Sequence, residues 1–194
     1  MSELTQRYIN IKKDNWDTTG TFSLVVWDLD GTIYSIPKLV KKIKKNTLFK
    51  PFNLFEIQNF KKTEKKISKE RRNNTYYLES YINDFQRMQK FINSFLHESV
   101  LSEKSLELIK DFHRRNIEQI VVSEYPIANK LAQLGIEKYF KNSYSSPDDF
   151  KCWKPNPKMA KEIIDLHDFS NGFLIFGDRD DTDGVLFKNI LKEL

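Results

Sequence analysis

Residues Phe22 to Trp27 form a mostly apolar run, with the β-branched pair Val25-Val26 in it, that stops at two carboxylates, Asp28 and Asp30, followed by Gly31 and Thr32. The run is too short for a typical helix and reads as a buried strand over about residues 22–28. That placement constrains the fold, because ligands of an open α/β sheet bind beyond the carboxyl ends of its strands. Two like charges this close repel, and they stay ionised most easily with a cation beside them. Gly31 lets the backbone turn with φ > 0 or approach an anion closely, and Thr32 adds a hydroxyl donor. Carboxylates, a hard cation and free backbone N–H groups point to phosphate chemistry. Solvated aspartates in a strand-ending turn are the plainer reading of this stretch, so the rest of the chain decides.

Downstream the same pattern recurs. Ile120-Val121-Val122 predicts a second buried strand within 118–123, ending at Ser123. Asn142 to Ser146 reads as a short third strand, and Gly172 to Phe176 as another that ends in Gly177-Asp178. Helices are expected between them. Ser102 is the N-cap of one running to Arg115. Pro126 and Gly135 bracket a second, with Ile127, Leu131 and Leu134 toward the sheet. Asn156-Pro157 starts a third, and Gly184 to Leu194 is a short amphipathic fourth. Strands alternating with helices imply an α/β, Rossmann-like core with a mostly parallel sheet. Residues 1–20 are polar and read as an extension or short leading element, pinned by Trp16.

Residues 35–100 differ. They hold paired lysines at 41–42, 44–45, 61–62 and 65–66, and no glycine occurs between Gly31 and Gly135. Helical spacing is plausible over Phe52 to Ile67 and clearest over Thr75 to Glu98, through Leu78, Tyr81, Ile82, Phe85, Met88, Ile92, Phe95 and Leu96. The expected organisation is a core of 1–34 and 101–194 and a small all-helical cap of 35–100.

Composition excludes several classes. Apolar residues make up 39% of 194 and charged residues 30%, a globular balance that argues against disorder. No apolar stretch nears the roughly 20 residues that span a bilayer, and Met1 to Asn15 lacks a signal-peptide core, so a cytoplasmic location without membrane contact is expected. Cys152 is the single cysteine, which excludes an internal disulfide. The formal charge of +5 suits an anionic substrate or nucleic acid, but a lysine-rich solvated surface explains it as well.

Asp28-Leu29-Asp30-Gly31-Thr32, Ser123, Lys154-Pro155 and Gly177-Asp178 occur in the order of the four motifs of the haloacid dehalogenase-like superfamily, and the chain resembles that family over about residues 22–187. The resemblance implies a Mg²⁺-dependent phosphatase. Asp28 would be the nucleophile, and Asp30 the acid that protonates the leaving alkoxide and then activates water. Gly31, Thr32, Ser123 and Lys154 would hold the phosphoryl group. Asp28, Asp178, a second acid and the Asp30 backbone carbonyl would hold the metal. The family spacing favours Asp183 as that second acid, with Asp181 as the substitute. Asp30 and Ser123 are 93 positions apart and Ser123 and Lys154 only 31, which puts the insert where relatives carry a cap. Such a cap suggests a small phosphorylated metabolite as substrate. Tyr34 and Ser35 are expected at the entrance.

Three features depart from the family pattern. Cys152-Trp153 precedes Lys154 where a glycine often stands nearby. Arg179 replaces a small residue, and it would reach substrate or pair with Asp180 or Asp183. The chain ends without the additional strand that many relatives have. His97, His113 and His167 fit no motif and read as structural or surface residues. The second acid of the first motif argues against carbon–halogen cleavage. A phosphotransferase or phosphomutase using the same nucleophile stays open, as does a non-catalytic anion-binding or nucleic-acid-binding protein. The cap lysines cluster without an identifiable nucleic-acid motif, so nucleic acid is the less favoured partner. Oligomeric state is not legible.

Overall fold

The computed structural model describes residues 4–47, 89–127 and 129–194, together with 58, 59, 62 and 65. The strands are β1 (Gln6–Asn10), β2 (Leu24–Trp27), β3 (Glu118–Ser123), β4 (Asn142–Ser145) and β5 (Phe173–Gly177). They form one sheet in the order β1-β5-β2-β3-β4, and every pairing is parallel. The helices are α1 (Ile36–Thr47), α2 (Glu103–Arg114), α3 (Lys130–Gln133), α4 (Pro157–Leu166) and α5 (Val185–Glu193).

β2 is central and buried along its length, as its unbroken apolar run requires when both faces are covered. The two-residue pleat divides its side chains. Val25 and Trp27 join Ile109, Phe112 and Phe176 in one apolar cluster, while Leu24 and Val26 join Met159, Ile163, Leu186 and Ile190 in the other. The Trp27 ring stacks on Phe176 at 4.3 Å, and its indole N–H donates to buried Gln119 at 3.0 Å. Helices therefore pack on both faces of the sheet.

The leading segment is a strand of the core. β1 pairs with β5 from Gln6↔Phe173 to Asn10↔Gly177, so it fills the edge where a final strand was expected to be missing. Its pattern hid it, since only Ile9 and Asn10 are buried. Trp16 anchors the return, donating to the Ile11 carbonyl at 3.0 Å and lying 5.9 Å from the Phe176 ring.

Other boundaries move less. Ser102 caps α2 as expected, accepting from the Ser105 N–H, and Asn156 caps α4 by accepting from Lys158. The helix expected from Pro126 begins only at Lys130, behind Asn129 in the left-handed region at φ 62°. Helical residues continue to 93, and Glu98 opens a separate 3₁₀ turn capped by His97. The helix expected over Phe52 to Ile67, and most of that over Thr75 to Glu98, lie outside the described residues. Among the described residues no helix is long and apolar enough to cross a membrane.

Candidate active site

The sheet order reverses at β2, and the carboxyl ends of β2, β3 and β5 deliver Asp28, Ser123 and Asp178 to one edge. The Asp28 N–H donates to the Phe176 carbonyl at 2.8 Å, extending the ladder to the first motif carboxylate. Gly31 then turns the chain with φ 98°. A Cβ there would fall 2.5 Å from Asp178 Oδ2, so the position needs glycine for both backbone and space.

Asp28 is buried between two donors. Thr32 Oγ1 donates to its Oδ2 at 2.9 Å, and Lys154 Nζ reaches its Oδ1 at 3.0 Å. Lys154 also lies 2.5 Å from Asp183 Oδ1 and donates to the Val122 carbonyl at 3.0 Å. Burial pushes the Asp28 carboxyl well above the usual carboxylate range; Lys154 opposes the rise, and Asp183, Asp178 and Asp30 add to it. Burial would push Lys154 down, but the Asp183 and Asp28 carboxylates outweigh it and hold the amine protonated.

Among the described residues, Asp28, Asp178 and Asp183 bring one ligand atom each within 4.8 Å of one another. Three carboxylates at that spacing fit a hard divalent cation. The Asp178 and Arg179 N–H groups both donate to Asp183 Oδ2 at 3.1 Å, which orients the second acid. Asp183 is the member of this cluster, whereas Asp181 is exposed and outside it.

Asp30 is set apart from that cluster. Ser123 Oγ donates to its Oδ2 at 2.9 Å, Lys130 Nζ reaches its Oδ1 at 2.9 Å and its Oδ2 at 3.3 Å, and the Tyr34 hydroxyl donates to Oδ1. Burial would raise the Asp30 carboxyl, but Lys130 and the hydrogen bonds from Tyr34 and Ser123 outweigh it and hold it below its ordinary value. The hydroxyls of Thr32 and Ser123 are thus both engaged by motif carboxylates.

Several expectations change here. Tyr34 is buried beneath Asp30 and not at an entrance. Arg179 pairs with neither Asp180 nor Asp183 through its side chain; its guanidinium meets Glu124, beside Ser123. Asp180 is held by Asn10 Nδ2 at 2.6 Å and Lys13 Nζ at 2.5 Å, and Lys12 Nζ reaches Asp178 at 2.7 Å. The leading strand therefore meets the acid-rich loop. Lys130, Glu124 and Lys12 were not singled out in the sequence. Only Lys130 carried a signal there: it shares a helical face with Ile127 and Leu134, where a lysine is out of place. Cys152 is buried and its thiol is pushed up to about 11, which makes it a poor nucleophile. His167 is structural, bonded to Tyr144 at 2.8 Å and Glu118 at 2.6 Å.

A family model for haloacid dehalogenase-like hydrolases matches residues 22–184. The chain belongs to this family. The four motif positions fall inside the matched span. Solved structures of similar fold include the HAD-hydrolase YfnB from Bacillus subtilis bound to magnesium, at 15% identity and TM-score 0.66, covering 87% of this chain and 83% of that one. β-Phosphoglucomutase from Clostridium difficile aligns at 16% identity and TM-score 0.58, covering 87% and 82%. L-2-haloacid dehalogenase from Xanthobacter autotrophicus aligns at 12% and 0.55, covering 87% and 74%. No curated protein sequence matches the chain. At these identities the likeness concerns the fold of this HAD-like hydrolase.

Proposed function

We propose that the protein hydrolyses a small phosphomonoester with Mg²⁺, through an aspartyl-phosphate on Asp28. The observation that carries this reading is the second acid of the first motif: Asp30 stands half-buried next to the Asp28 cluster, with its own hydrogen-bond partners. A carbon–halogen cleavage has no use for that acid, whereas a departing alkoxide needs a proton.

Thr32 turns one Asp28 oxygen aside and leaves the other facing Lys154. Asp30, ionised among its three donors without substrate, takes up a proton as the phosphate brings its negative charge and draws Ser123 away. Asp28 then attacks phosphorus, the bond to the leaving oxygen breaks, and Asp30 passes that proton to it. Asp30 then takes a proton from water, which attacks the acyl phosphate and returns Asp28. Lys154 and Ser123 hold the phosphoryl oxygens, so the incoming phosphate must take over the Ser123 hydroxyl from Asp30. Asp28, Asp178 and Asp183 would hold Mg²⁺, with the Asp30 carbonyl as the family resemblance implies. When bound, the ion neutralises the carboxylates and draws charge from the phosphoryl oxygens. Residues 35–100 form the cap in this reading, and the substrate is a cytoplasmic metabolite small enough to be enclosed.

Phosphate release from sugar phosphates, nucleotides, cofactor phosphates and p-nitrophenyl phosphate, with Mg²⁺ and with EDTA, tests the proposal. Release that needs Mg²⁺ and vanishes in Asp28→Asn supports it. Folded, Mg²⁺-binding protein that releases no phosphate from any compound overturns it, and phosphoryl transfer to an added sugar would mark a transferase.

A further inference from the structure

We propose that Lys130 is a positioning residue of this site, acting through Asp30; the inference rests on the phosphohydrolase reading above. Lys130 belongs to none of the four motifs. Asn129, with φ 62°, reverses the chain so that α3 opens with Lys130 facing inward, and the Lys130 N–H donates to Ile127 at 2.8 Å. Leu131 and Leu134 lock the short helix into the core. The Lys130 side chain is only 2% exposed.

Burying an ammonium is costly, and this one is directed at a single target. Its Nζ spans both oxygens of Asp30, at 2.9 and 3.3 Å. Ser123 and Tyr34 approach the same carboxylate, but a phosphoryl group would recruit Ser123 away. Lys130 and Tyr34 then remain to fix the Asp30 rotamer. A proton donor works only when held at the leaving oxygen, and a displacement of about 1 Å is enough to lose much of its effect. Each carboxylate of the first motif thus has its own buried lysine: Lys154 for Asp28 and Lys130 for Asp30.

A role through Asp30 has a signature that a purely structural role lacks. An alkyl phosphate needs its leaving oxygen protonated, whereas p-nitrophenolate leaves without a proton. The test compares kcat/KM, which ends at phosphoenzyme formation and excludes the water step both esters share, for a primary alkyl phosphate and for p-nitrophenyl phosphate, in wild type, Lys130→Met, Lys130→Arg, Asp30→Asn and Asp30→Asn/Lys130→Met. Lys130→Met is expected to lower kcat/KM on the alkyl ester by about 100-fold, the low end for loss of a general acid, and kcat/KM on p-nitrophenyl phosphate by less than about fivefold. Lys130→Arg should recover part of the alkyl rate. In the Asp30→Asn background, Lys130→Met should leave the ratio of the two substrates unchanged. Equal losses on both esters, an undiminished alkyl rate, or a changed ratio in the Asp30→Asn background would overturn the inference while leaving the phosphohydrolase reading intact. If Lys130→Met does not fold, the ratio in Lys130→Arg decides by the same criterion. A wild type that turns over neither ester removes the reading and the inference together.

Discussion

Gly31 supports Asp178 from 147 positions away: the face of its Cα that would carry a side chain is closed by the Asp178 carboxylate, 2.5 Å from an ideal Cβ. Replacing Gly31 by alanine should strain a left-handed backbone and displace Asp178 together. The expected result is a stability loss of about 1–3 kcal/mol and a Mg²⁺ affinity weakened at least severalfold. Urea unfolding and calorimetric Mg²⁺ titration measure the two separately. Unchanged Mg²⁺ affinity would show that Asp178 does not bear on the metal.

Asp28 makes stability depend on pH and metal together. Its carboxyl is raised in the folded protein by burial. A raised folded value means the contribution is fully present below the ordinary carboxylate range and is lost as pH rises through the folded value. Metal-free protein should therefore lose the Asp28 contribution as pH rises, while Mg²⁺, which binds the ionised form, should stabilise it more at higher pH. Thermal unfolding across pH, with EDTA and with Mg²⁺, should show the two curves diverging. In Asp28→Asn the divergence should shrink; the same divergence there would place its cause elsewhere.

β1 is an integral strand, so its buried apolar residue, Ile9, should matter as core residues do. Ile9 is 1% exposed and Leu4 48%. Ile9→Ala should cost about 2–4 kcal/mol, and Leu4→Ala less than about 0.5 kcal/mol. Equal and small losses in chemical denaturation would mean that β1 pairs only loosely with β5.

Glu124 and Arg179 couple the loops after β3 and β5. Glu124 is almost wholly buried while the Arg179 side chain is one-third exposed. Arg179→Met leaves a buried carboxylate without this partner and should cost about 2–3 kcal/mol, below the range for a fully buried pair because solvent screens the guanidinium. Glu124→Leu/Arg179→Met should recover part of that loss in a double-mutant cycle. Strictly additive losses would show that the two residues do not interact.

The unbroken apolar runs of β2, β3 and β5 made the sheet legible, because a strand buried on both faces has few other ways to be written. The caps at Ser102 and Asn156 were legible because capping is a contact within one turn. β1 was not: an edge strand buries little, and its sequence looks like a polar tail until Phe173 to Gly177 lies beside it. The start of α3 was misplaced because Pro126 suits a helix entry locally, while Asn129 turns left-handed in the folded chain.

The site divides in the same way. The sequence by itself offered the motif carboxylates and Ser123 at the ends of its apolar strands, and Lys154 just before a helix, in the order of the family it resembles. The spacing of the family it resembles favoured Asp183 over Asp181, and the Asp183 carboxylate does lie with Asp28 and Asp178. Only the tertiary structure decided the partners. Lys130 is 100 residues from Asp30, Glu124 is 55 from Arg179, and Lys12 is 166 from Asp178. Local propensity records what a residue does to its own turn of chain. Which charge it neutralises across the sheet edge is fixed only when the strands are ordered, because an ion pair depends on distance in space and leaves no periodic trace in the sequence.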